Sequence, residues 1–312
     1  MLKKHLTFWW KVVQDAISLW LERNAFSYAG SLAFYTLFSL APTIIIAVTV
    51  IGVVLGEDAA QGQIVAQLQG SLGVDVASAI EGAVAQSRIE ESGLLPTFLG
   101  VGALLVGATT VFAQMQFSLN TIWGVTAKPT SNSMFIFIKT RLLSLTVVLS
   151  IGFILLVSLI LGVALRGMLQ AANDILPLAS YFTTILESLI SLGVVVLLFA
   201  TIFKVLPDVV LRWQDVFIGA VVTAILFTIG RNLIAVYLAY TATASTYGAA
   251  GSVVMVLLWV YYSSLILLFG AAFTRSLLLR RGRRLVPRNS AVLIRQEILE
   301  TERPAPKHGE EF

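Results

Sequence analysis

The chain has no cysteine among its 312 residues, which excludes disulfides and thiolate metal sites at the outset. Its two histidines, His5 and His308, lie one near each terminus. A histidine-based triad or metal cluster inside the fold is therefore excluded. Charge is scarce: Asp, Glu, Lys and Arg make up 12% of the chain, about half the ~25% of a soluble domain. No HExxH, no phosphate-cradling GxxxxGK[ST] and no pair of intramembrane aspartates occurs. Metalloprotease, ATP-driven and aspartyl-protease chemistries thus lack their minimal residues. The expectation is a protein that is not an enzyme, with no catalytic residues, no metal and no cofactor.

What the chain has instead is apolar sequence, 57% of residues, with a mean hydropathy of +0.88. Six stretches are long enough to cross a hydrocarbon core about 30 Å thick, which takes about 20 helical residues. They lie near 29–55, 95–122, 142–165, 181–203, 216–240 and 250–273. Backbone amides must be satisfied internally in lipid, so these spans are expected to be helices despite many Val and Ile. The fold class predicted is an all-α polytopic membrane protein of six transmembrane helices. Lys11, Gln14 and Asp15 interrupt the N-terminal apolar residues, which argues against a cleavable signal peptide.

The basic residues orient the bundle. Eighteen of the 21 Lys and Arg fall in the N-terminal segment, the second and fourth loops and the C-terminal segment. Arg88 and Arg166 alone lie on the other side, and Arg231 lies within a span. The positive-inside rule places both termini in the cytoplasm. Three regions follow: a cytoplasmic segment 1–28, the six-helix domain 29–278 and a tail 279–312. The outer loop 56–94 is acidic, and Ile64, Leu68 and Leu72, then Val76, Ile80 and Val84, recur every four residues. That spacing predicts two short helices capping the outer face.

Before the first span, Leu6, Trp10, Val13, Ile17 and Trp20 recur at three- and four-residue spacing opposite Lys4, Lys11, Asp15, Ser18 and Glu22. This is an amphipathic helix suited either to the cytoplasmic leaflet or to packing against the ends of the bundle. In the tail, Arg280, Arg281, Arg283 and Arg284 form a cluster suited to anionic headgroups or to anchoring the topology. No aromatic platform accompanies it, so no nucleic-acid partner is expected. From Glu297 onward the tail is polar, with Pro304 and Pro306, and is expected to be disordered.

Candidate binding residues are the polar groups inside spans. Arg231, in ILFTIGRNLIAVYLAYT, lies roughly 13 Å inside the outer boundary of the fifth span. An arginine there costs about 2.5–3.5 kcal/mol on insertion scales and should face protein or water. Glu187 is the carboxylate inside a span at comparable depth. Two readings follow: a Glu187–Arg231 packing pair, or a guanidinium lining a cavity and holding an anionic group by forked hydrogen bonds. Asn232 adds a donor only if the helix is distorted. In the second span Gln116 and Asn120 share a face, suited to neighbouring helices or to substrate. Pro42 should kink the first span. In the sixth, Trp259, Tyr261, Tyr262, Ser263 and Ser264 place aromatics and hydroxyls near mid-membrane, which points to a cavity wall. Asp208 and Asp215, beside Lys204 and Arg212, read as a solvated, charge-balanced turn.

Several stretches, SLAFYTLFSLAP (31–42), FAQMQFSLNTIWGV (112–125), VLPDVVLRWQDVFIGA (205–220) and YGAAGSVVMVLLWVYYSSLILLFGA (247–271), carry a further signal. In them the chain resembles the YihY/BrkB family of bacterial inner-membrane proteins, also called virulence factor BrkB and, in older usage, ribonuclease BN. The resemblance covers about residues 20–275 and implies six helices with cytoplasmic termini. Ala272 stands where the resemblance leads one to expect an acidic residue. The ribonuclease name finds no histidine, metal cluster or nuclease motif to support it.

The function expected is a transporter or translocator of an anionic lipid or amphiphile, with Arg231 and Glu187 in the pathway. The partners expected are membrane lipids and that anionic substrate. The alternative is a non-transporting scaffold for envelope proteins, acting through the outer loop and the N-terminal helix.

Overall fold

The computed structural model describes residues 2–39, 94–128, 179–241 and 248–294. Pro42, the remainder of the first span, the outer loop 56–93, the third span and the tail from 297 lie outside these residues. Within them the chain is almost entirely helical: α1 (Leu2–Glu22), α2 (25–39), α3 (Leu94–Trp123), α4 (Ala179–Val205), α5 (Trp213–Thr241) and α6 (Gly248–Arg280). Two short strands, β1 (Val125–Ala127) and β2 (Ala291–Leu293), complete the elements.

Among the described residues three stretches are long and apolar enough to cross a membrane: Ser188–Val205 in α4, Trp213–Leu233 in α5 and Val256–Arg280 in α6. They coincide with the fourth, fifth and sixth spans read from the sequence, and the 30-residue α3 covers the second. The sixth helix runs seven residues past the expected boundary at 273. Its extra turns are not bare: Phe273 and Leu277 pack against Val12 and Ala16 of α1.

α1 ends in a two-residue turn whose pivot is Asn24 at φ 52°, a left-handed conformation that Asn tolerates better than most residues. The Asn24 carbonyl accepts the first amide bond of α2, from Ser27 at 3.0 Å.

Glycine sets the spacing of α5 and α6. Gly219 faces Thr274, Gly270 faces Thr223 and Gly230 faces Tyr262, so contacts climb α5 while they descend α6. The helices are therefore antiparallel and packed backbone to side chain, which small residues permit. Thr223 and Thr274 return their hydroxyls to the carbonyls of Gly219 and Gly270 within their own helices, at 2.6 and 2.7 Å. A hydroxyl so satisfied adds no polar cost to an apolar seam.

Among the described residues, the fully buried core lies at the end of the bundle that carries the basic residues, here the basic end. Leu119, Ile122, Trp123, Phe203, Leu206, Val209, Val216, Ala220 and Leu268 are all fully buried there. The chain after α6 folds into that end. The helix stops in a Schellman arrangement, with Arg283 N–H on the Leu278 carbonyl, Gly282 N–H on that of Leu279, and Gly282 at φ 73°; glycine enters that region without strain. The strand that follows lies antiparallel to β1, with Val125 opposite Leu293 and Ala127 opposite Ala291. Val210 N–H also bonds the Val286 carbonyl at 2.8 Å. The basic part of the tail, up to 294, is thus folded onto the loops after α3 and α4.

Candidate functional site

Five helices converge without filling the space between them. A cavity of about 260 Å³ is lined by Leu32 and Thr36 of α2, Met115 of α3, Phe199 of α4, Phe227 of α5, and Trp259, Ser263 and Ser264 of α6, among others. Phe227 meets Phe199 and Trp259 edge-on, with ring centroids 5.7 and 5.6 Å away, so one side is an aromatic wall. The Ser263 hydroxyl is already donated to the Trp259 carbonyl at 2.8 Å. With so few free polar groups on its walls, this half-open cavity suits hydrocarbon better than ordered water, which needs two to four polar partners.

Of the sixth-span residues singled out in the sequence, Trp259, Ser263 and Ser264 do line this cavity. Tyr262 instead crosses Gly230 of α5, where an added Cβ would meet its hydroxyl oxygen at 1.7 Å. Tyr261 packs on the main core.

Arg231 lies four residues beyond Phe227, hence on the same stripe of α5 and one turn farther from the basic end. That stripe continues inward through the buried Ala224 and Ala220. The Arg231 side chain itself is exposed, as is that of Asn232 on the neighbouring face. The structure therefore places Arg231, exposed, one helical turn beyond the cavity residue Phe227 on the same helix. Glu187 belongs to α4, and its side chain lies outside the described residues. Counted from the Phe199–Phe227 contact, Arg231 is about 6 Å and Glu187 about 18 Å toward the far end at 1.5 Å per residue. The carboxylate-bearing residue thus sits nearer the far end than the guanidinium, by more than boundaries counted in the sequence imply.

The other amide pair, Gln116 and Asn120, is far from Arg231, at the basic end. Asn120 Nδ2 and Gln116 Nε2 both donate to Asp208 Oδ2, at 2.8 and 3.3 Å. The Asp208 amide returns a bond to Asn120 Oδ1 at 2.8 Å. The two amides hold the loop after α4, as neighbouring-helix contacts do.

This corrects the reading of Asp208 and Asp215 as a solvated turn. Asp208 is half-buried and triply bonded to α3. Asp215 is buried; it accepts the Arg212 amide at 3.1 Å across the first turn of α5 and an ion pair from Arg283. A carboxylate at this third helical position completes half a capping box and opposes the helix dipole. Bonds to charged groups contribute about 1.5–3 kcal/mol. Asp208→Ala strands both amides and should lower unfolding stability in detergent by about 2 kcal/mol, read from the thermal midpoint.

The basic cluster divides in two. Arg280 pairs with Asp15 of α1 and Arg283 with Asp215, whereas Arg281 and Arg284 are exposed with no ion-pair partner among the described residues.

Two arginines that the sequence reading left as mere positive charge cap helix ends. Arg288 donates to the carbonyls of Lys204 and Val205, the last of α4, at 3.2 and 3.1 Å. Arg275 donates to the Ile122 carbonyl at the end of α3 and packs on Gly124, itself at φ 70°. Cations at helix C-termini satisfy orphan carbonyls and the negative dipole end. Ala272, one turn before Arg275, is fully buried, in a place where a carboxylate would need a partner.

The family model described as "Virulence factor BrkB" matches residues 16–293. A UPF0761 membrane protein of Alteromonas mediterranea is 27% identical over 85% of this chain and 88% of its own length. A UPF0761 membrane protein of Tolumonas auensis is 37% identical over 94 residues, 30% of each chain. A protein of Bacillus subtilis named ribonuclease-like protein YfkH is 26% identical over 83% of this chain and 92% of its own. No solved structure matches.

Proposed function

From the premise that the chain belongs to the virulence factor BrkB family, whose relatives are named as membrane proteins, we propose that it translocates an anionic lipid or amphiphile across the bacterial inner membrane. Both termini then lie in the cytoplasm and six helices span. The observation that carries this reading is one juxtaposition: an apolar cavity among five helices, and the exposed Arg231 one turn beyond Phe227 on the same stripe of α5. Hydrocarbon is favoured in the first, and an anionic headgroup by forked hydrogen bonds at the second. The insertion cost of the arginine is then offset by a bound anion. No step requires a nucleophile, a metal or a general base, and the reading includes no catalysis.

Filling the cavity tests the apolar half. Ser264 is a buried liner on α6, and Ser264→Phe places a ring where a chain would lie. In proteoliposomes carrying a fluorescent anionic lysolipid, the variant should lower the translocation rate about tenfold while folding normally; overfilling a cavity that exists costs less than overfilling a close-packed core. An unchanged rate in a variant shown to occupy the cavity would count against the reading.

A further inference from the structure

α1 carries more apolar surface than its partner covers. Val12 and Ala16 are fully buried against Phe273 and Leu277 of α6. Trp9 stacks on Phe273 at 6.3 Å, and Trp20 Nε1 donates to the Leu265 carbonyl at 3.2 Å. On the adjacent arc Leu6, Trp10, Ile17 and Leu21 are left 74, 64, 43 and 52% exposed. The polar arc, with Lys11, Gln14 and Ser18, lies beyond.

Position decides what medium meets that free arc. The contacts of α1 with α6 run from Leu265 to Arg280, where Arg280 pairs with Asp15. That is about 22 Å of helix at 1.5 Å per residue, all within the stretch Val256–Arg280 that is apolar enough to cross a membrane. A helix lying along the end of a span shares its surroundings, so the free arc faces acyl chains. Charge completes the surface. Arg280 and Arg283 are neutralised within the fold. Lys11, Arg281 and Arg284 are exposed at the same end with no ion-pair partner among the described residues.

We propose that α1 is an oblique wedge inserted into the leaflet at the basic end, and that Lys11, Arg281 and Arg284 beside it bind the headgroups of anionic phospholipids in that leaflet. The apolar arc supplies depth, and the three cations supply selection for negative headgroups. This surface is separate from the cavity and from Arg231, and it holds whether or not the protein translocates anything.

Because the chain has no cysteine, single reporters are clean. Nitroxide labels at Ile17→Cys and Ser18→Cys in the full chain, in lipid nanodiscs, report oxygen against a water-soluble nickel chelate. The Ile17 label should be reached by oxygen and shielded from nickel, and the Ser18 label the reverse; equal access of nickel to both would overturn the insertion. In a second measurement, tryptophan quenching by brominated phosphatidylglycerol is compared with quenching by the same fraction of brominated phosphatidylcholine. The anionic lipid should quench more strongly in the wild type. The Lys11→Gln, Arg281→Gln, Arg284→Gln variant should lose that preference, quenching equally in the two lipids. Equal quenching by the two lipids in the wild type would overturn the headgroup site.

Discussion

Gly219→Ala should destabilise the protein by about 2–3 kcal/mol, although helix propensity alone predicts a gain of about 1 kcal/mol from the same change. The sign is set by the neighbouring helix. An added Cβ at Gly219 would stand 1.8 Å from the Thr274 hydroxyl oxygen and 3.0 Å from its Cβ. Neither atom is the free end of a flexible chain, since Thr274 is buried and bonded to the Gly270 carbonyl. α5 and α6 must therefore separate, and with them Phe227 and Trp259, which meet across the cavity wall. Thr274→Ala removes the closest atom, so the double variant should recover at least half of the loss. The coupling energy of such a contact pair lies within the usual 0.5–3 kcal/mol. Gly193→Ala is the control: among the described residues nothing lies within 4 Å of its added Cβ, so propensity should win and stability should hold or rise. Thermal unfolding of wild type, the three single variants and the double variant in one detergent decides it. A stable Gly219→Ala would mean that α5 and α6 are not packed as described.

The contrast between Gly219 and Gly193 shows what the sequence conveys and what it hides. Long apolar runs made the helices legible: the fourth span read as 181–203 is Ala179–Val205, and the fifth read as 216–240 is Trp213–Thr241. In lipid, length and hydropathy are the physical determinants, and both are local. The helix of the sixth span runs on to Arg280, and Arg275, which resembles a boundary charge, reaches the end of α3.

Long-range polar contacts were least legible. Asp208 meets Gln116 and Asn120 across roughly ninety residues, and nothing local distinguishes it from a solvated loop carboxylate. The amides themselves were visible, because buried Gln and Asn require partners. Their partner was not. The cavity was half visible: Trp259, Ser263 and Ser264 stood out as aromatics and hydroxyls at depth. Leu32, Met115 and Phe199 are ordinary apolar residues whose shared lining exists only after five helices assemble.

The arginines of the basic end have two physical roles that a charge count merges. Arg275 and Arg288 cap helix ends, and Arg280 and Arg283 close ion pairs, leaving Arg281 and Arg284 for the surroundings. Orientation by positive charge and closure of the fold are thus served by the same residues.

Arg231 differs from all of these. It lies in a span, exposed, one turn past an apolar cavity. If it holds an anionic headgroup, the lost hydrogen bonds to a charged group, about 1.5–3 kcal/mol, correspond to a roughly 10–100-fold fall in affinity. Cavity and arginine act on different parts of one ligand, so Ser264→Phe should exclude the chain and Arg231→Ala should release the headgroup.

The most direct measurement of this account is native mass spectrometry of the full chain released from lipid nanodiscs, wild type beside Arg231→Ala. An anionic lipid or amphiphile should be retained by the wild type, lost from the variant, and indifferent to the substitutions at Lys11, Arg281 and Arg284. Identical spectra with no retained anionic species, from a variant that is merely less stable, would contradict it and make Arg231 a structural residue.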